Sequence, residues 1–113
     1  ANLYSAKIMY LENKLDQSHL FLDHIIINSD DDEIVNIAIY RKAKILIEET
    51  KYEQAHALLG DNPKNYQHIE LKGDLYYLQN NDNEALRYYN KVLAYTITPN
   101  EKKNILSKIN FIK

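Results

Sequence analysis

Apolar and small residues recur along the chain at three- and four-residue spacing, as in Ala43–Leu46, Ala55–Leu59, Ala85–Tyr89 and Ile105–Ile109–Ile112. That is the period of a helix burying one stripe, and no stretch alternates long enough to read as a half-buried strand. Between the stripes stand short helix-opening signals: Asp30-x-x-Glu33, Thr50-x-x-Glu53, Asn81-x-x-Glu84 and Thr98-Pro99-x-Glu101. In each, a small oxygen-bearing side chain can accept from an unpaired amide of the first turn, and proline suits the first helical position. The pattern predicts helices at about 2–13, 15–28, 32–49, 52–60, 64–79, 82–95 and 99–111. Connections this short make neighbouring helices antiparallel.

Three stretches superimpose without internal gaps. They begin at Tyr4-Ser5-Ala6, Arg41-Lys42-Ala43 and Leu71-Lys72-Gly73, offset by 37 and then 30 residues. A small residue (Ala6, Ala43, Gly73) is followed three later by a large one (Met9, Leu46, Tyr76). Twelve residues after it comes a second small one (Ser18, Ala55, Ala85), then a large one (Leu22, Leu59, Tyr89). A small residue on each of two helices lets their backbones approach, and the large neighbour fills the space beside them. Leu59-Gly60-Asp61-Asn62-Pro63 cuts one helix short and accounts for the second, smaller offset. The units are about 1–30, 32–62 and 63–97, with a capping helix at 99–113, all in one domain. The cap's isoleucines cover an apolar edge that a stack of helix pairs otherwise leaves exposed.

Composition narrows the function. Two glycines and two prolines are too few for an all-β fold or a phosphate-cradling loop. A formal net charge of -2 with only two arginines argues against a nucleic-acid binder. No apolar run exceeds four residues, far short of a membrane span, and the absence of cysteine removes disulfides, thiolate nucleophiles and zinc–thiolate sites. Ten tyrosines against two phenylalanines fit an AT-rich codon bias.

Catalytic and metal chemistry find no foothold. His19 and His24 are five residues apart, where a helical metal pair wants four; His56 and His68 read as exposed or half-buried helix positions. The run Asp30-Asp31-Asp32-Glu33 lacks the glycine and spacing of a calcium loop and suits a helix N-terminus. No serine sits in a Gly-flanked strained turn. The expectation is a non-enzyme without cofactor or metal.

The repeat resembles the tetratricopeptide repeat, most closely in Gly73, Tyr76, Ala85 and Tyr89, with Pro99 near the usual closing proline. The resemblance implies an all-α, right-handed helical-hairpin solenoid of about three helix pairs plus a C-terminal cap. It further implies that the first helix of each pair lines a concave groove. That geometry places Leu3, Lys7 and Tyr10 from the first unit on the groove, with Tyr40, Lys44 and Ile47 from the second and Glu70, Asp74 and Tyr77 from the third. Tyr10, Ile47 and Tyr77 share one register and form an apolar stripe, with the charged residues setting register and selectivity. The clamp for a C-terminal carboxylate, which needs Lys/Arg and Asn here, meets Glu70 and Asp74 instead.

Beyond the generic repeat, the chain is similar to the periplasmic domain of the YfgM family, ancillary subunits of the SecYEG translocon. The likeness rests on Ala57-Leu58-Leu59-Gly60, Leu71-Lys72-Gly73-Asp74-Leu75, Glu84 to Leu93, and Lys108-Ile109-Asn110. It implies protein partners, namely SecYEG and the chaperone PpiD, and a place on the periplasmic face of the inner membrane. The membrane anchor would lie outside this chain, which starts without methionine as an excised soluble domain would. Two other readings stand beside it: a cytosolic regulatory or adaptor module whose effector domain is elsewhere, and a self-associating module.

Overall fold

The structure is a computed structural model that describes residues 3–113, with side chains described from Lys14 onward. It consists of six helices: α1 Leu3–Asn28, α2 Asp32–Glu48, α3 Tyr52–Leu59, α4 Tyr66–Leu78, α5 Asp82–Val92 and α6 Pro99–Ile112. No strand occurs among the described residues.

The caps explain most of the helix ends. Asn81 accepts from the Glu84 amide at 3.2 Å, and Thr98 from the Glu101 amide at 3.2 Å with Pro99 at the first helical position. Asp31, one residue beyond the expected Asp30, accepts from the amides of Glu33 and Ile34 and starts α2. Asn65, which the pattern did not single out, caps α4 through the amides of Gln67 and His68. Thr50 is a correction. It is not a cap; its φ is 60°, its hydroxyl turns back to the Glu49 carbonyl, and α3 opens at Tyr52 with no side-chain cap.

That left-handed Thr50 marks the turn between α2 and α3, and Asn80, with φ 63°, marks the equivalent turn between α4 and α5. These two helix pairs are hairpins. The same register in the first unit holds Asn13, which stays helical. Here the expected break between residues 13 and 15 is absent, and the helix carries through for 26 residues, roughly 39 Å. One long helix therefore takes the place of the first hairpin. It lies along α2, held by buried Leu22, by a His19 ring nitrogen 2.7 Å from the Glu49 carboxylate, and by an ion pair between Lys42 and Asp23.

Two apolar clusters fill the interior. Ala43 and Leu46 of α2 meet Ala55 and Leu59 of α3 and Leu71 and Leu75 of α4. Ile69 of α4 meets Ala85, Tyr88, Tyr89 and Val92 of α5 and Ile105 and Ile109 of α6. Because α4 contributes to both, it is the central helix. The small residues Ala43, Ala55 and Ala85 are fully buried at the helix crossings. Gly73 is tighter still: a Cβ built there would stand 2.6 Å from Cε1 and 2.7 Å from Cδ1 of the Tyr89 ring. Buried Tyr89 is pinned at its far end by a hydroxyl that donates to Asp74 at 2.5 Å, so the ring cannot swing away cheaply.

Gly73→Ala should therefore destabilise the protein by about 1–3 kcal/mol in urea unfolding, through overpacking, although alanine favours a helix interior by about 1 kcal/mol over glycine. A stabilised Gly73→Ala variant would mean that α4 and α5 are not in close contact there.

Candidate functional site

The sequence places nine residues on the groove, and the structure brings four of them together. Lys44 and Ile47 of α2, with Asp74 and Tyr77 of α4, line one pocket of about 390 Å³ between these helices. Leu71 and Leu78 form its floor and edge, and Lys108 of α6 its far side. Residues 44, 47 and 48 fall on one face of α2, and 71, 74 and 78 on one face of α4, so the two helices turn these side chains toward the same trough. Tyr77 is 38% exposed, its ring standing at the rim rather than between helix layers. Tyr40 does not join the pocket. It is half-buried against the α2–α3–α4 cluster, with the Lys44 ammonium 5.4 Å from its ring centre. Leu3, Lys7 and Tyr10 lie outside the residues whose side chains are described.

A second pocket of about 280 Å³ opens on the other side of Tyr77, between α4 and α6, lined by Tyr89, Ser107, Phe111 and Ile112. Phe111 is 78% exposed and meets Tyr77 edge-on, ring centres 6.2 Å apart. The groove thus has a wall, α6, that the first-helix rule does not supply. Its Ile105–Ile109–Ile112 stripe was visible; Lys108 and Phe111 flank that stripe, and only contact with α4 gives them meaning.

Glu70 and Asp74 do not stand free to select a partner. Lys108 Nζ donates to Glu70 Oε2 at 2.6 Å and to Asp74 Oδ1 at 3.0 Å, and the Tyr89 hydroxyl donates to the same Asp74 oxygen. Burial alone would lower the Lys108 ammonium, but its hydrogen bond to Glu70 and the Asp74 charge outweigh that and hold it above the usual lysine range. Tyr89 is raised well above the ordinary phenol, first by burial and then by its bond to Asp74, so it keeps its proton and acts as donor. The acids are consumed inside the fold. Arg41 and Lys44 make no ion pair among the described residues, so the ion pairing of the groove runs between α4 and α6.

A family model described as a tetratricopeptide repeat-like domain matches residues 1–112. The chain belongs to that family. Domains of this tetratricopeptide-like kind bind protein partners and are generally non-catalytic modules. No curated protein and no solved structure matches the chain. Among the described residues, no helix is long and apolar enough to cross a membrane.

Away from the groove, the tetratricopeptide-like core holds a polar cluster that no motif along the chain announces. Lys72 is 1% exposed. Its ammonium lies 3.0 Å from His56 Nδ1 and 5.6 and 5.8 Å from the ring centres of Tyr76 and Tyr88, which stack on each other. His56 Nε2 is 2.7 Å from the Gln79 side-chain oxygen, so that nitrogen donates and Nδ1 accepts from Lys72. His68, expected on a more open position, is buried and donates from Nε2 to the Asn36 carbonyl at 2.9 Å, tying α4 to α2. These are joints between helices. Burial lowers the Lys72 ammonium below the usual lysine value. Between its folded value and 10.5 the unfolded chain binds more protons, so Lys72 penalises folding fully at low pH and less as pH rises. Lys72→Met, of similar length, should be at least as stable as the native protein at pH 7. Its advantage in urea unfolding should shrink as pH rises toward 10.5; an advantage that grows would reverse the assignment.

Proposed function

We infer that the protein is a non-catalytic scaffold that captures a partner polypeptide in the trough formed by α2, α4 and α6. The observation that carries this is the pair of pockets meeting at Tyr77, with its exposed edge of Tyr77, Leu78 and Phe111. Large aromatic side chains at the centre of an apolar surface are where interface energy concentrates, because they bury much area and freeze few torsions. Family membership supports the same reading, since the second and third units present their first helices to this trough. The finer reading rests on the sequence likeness to the YfgM family. It makes this the periplasmic domain of a translocon-associated subunit, at the periplasmic face of the inner membrane, with SecYEG and PpiD as partners in handling secreted proteins.

Crosslinking of the full-length protein in its native membranes, followed by partner identification, tests both levels. The double variant Tyr77→Ala, Phe111→Ala should reduce partner recovery roughly tenfold, while Gln54→Ala on the outer face of α3 leaves it unchanged. Recovery of SecYEG and a PpiD-type chaperone supports the translocon assignment, and their absence among captured partners removes it. Undiminished recovery by the double variant moves the interface elsewhere.

A further inference from the structure

The trough continues past α2. Arg41 and Ile45 share the α2 face that carries Lys44 and Glu48, one turn earlier, and with Lys14, Gln17 and Phe21 of α1 they line a third pocket of about 420 Å³. No carboxylate among the described residues lines that pocket. Arg41 and Lys44 are both exposed, and Phe21 is 66% exposed beside them. At the opposite end, between α4 and α6, the one carboxylate in the wall is Asp74, which shares the Lys108 ammonium with Glu70 and accepts from Tyr89, and the rest is largely aromatic and aliphatic. Glu48 is the single exposed acid in the middle section. The trough is therefore polarised, cationic over α1–α2 and apolar over α4–α6.

Resting on the reading of this trough as the partner surface, we propose that it takes an acidic–apolar segment in one direction. Carboxylate side chains of the segment lie over Arg41 and Lys44, and an aromatic or large aliphatic side chain enters the pocket between Tyr77 and Phe111. Two interhelical spacings separate the ends, roughly 20 Å, which an extended chain covers in about six residues. A basic segment of the same shape meets Arg41 and Lys44 at one end and, past Glu48 in the middle, only an Asp74 already engaged by Lys108 and Tyr89 at the other. The polarity sets the orientation as well as the choice of partner, because a reversed segment places its carboxylates in the aromatic pocket.

Panning a random dodecapeptide library displayed on phage against the whole chain tests this. Three parallel targets are used: native protein, Tyr77→Ala, and the double variant Arg41→Glu, Lys44→Glu, with helicity of each checked by circular dichroism. Selected peptides should carry an acid about six residues from an aromatic or large aliphatic residue. Synthetic copies should bind the charge-reversed variant roughly tenfold more weakly, lose affinity as salt rises, and fail on Tyr77→Ala. Peptides that need Tyr77 but ignore the charge reversal, or that are basic, overturn the polarity while leaving the trough as the partner surface. Peptides indifferent to Tyr77→Ala overturn the trough itself, and a library that yields no binder overturns both.

Discussion

The structure turns on one node, where the Tyr89 ring fits the notch left by Gly73 and its hydroxyl meets Asp74, which in turn accepts from Lys108. Three helices are joined by it. The missing Cβ at residue 73 allows α4 and α5 to close, the hydroxyl fixes the ring's far end, and the ammonium fastens α6 across α4. Removing the ammonium leaves the partly buried Glu70 carboxylate without that partner, which costs more than the bond contributes. The same node supplies the wall shared by the two pockets at Tyr77, so the packing that holds the fold also shapes the surface where a partner is proposed to dock.

Much of the architecture could be read from residue spacing. The spacing places Ala43, Ala55, Gly73 and Ala85 as small residues at helix crossings, and all four are buried there; Asn81 and Thr98 stand at cap positions in the pattern and are caps. The first unit departs from the hairpin that the repeat predicts. A repeat pattern gives the register of a hairpin, but a turn also needs a residue willing to leave the helix. Thr50 and Asn80 do so at positive φ, whereas Asn13, at the matching position, stays helical.

The site was legible only in part, and the division follows the physics. Tyr77, Ile47, Lys44 and Asp74 follow from the face of a single helix, which periodicity encodes. The pairing of Glu70 and Asp74 with Lys108 crosses 34 to 38 residues of chain and depends on where α6 docks, which no local pattern carries. Lys72 makes the same point in reverse. A lysine within a helical segment reads as solvent-facing, and only the cage of His56, Tyr76 and Tyr88 shows that its charge is buried. Of the two lysines, Lys108 changes the electrostatic picture of the groove. With both α4 acids engaged by Lys108, and Asp74 by Tyr89 as well, the charges left without an ion pair among the described residues of the groove lie on α2.

Amide hydrogen exchange on the Lys108→Met variant tests the node most directly. If Lys108 fastens α6 to α4 through Glu70 and Asp74, amides across α6 lose protection while those of α2 and α3 around Ala43, Leu46 and Ala55 keep theirs. Unchanged protection across α6 would contradict the account, because the cap and the groove wall would then stand on Ile105 and Ile109 packing alone.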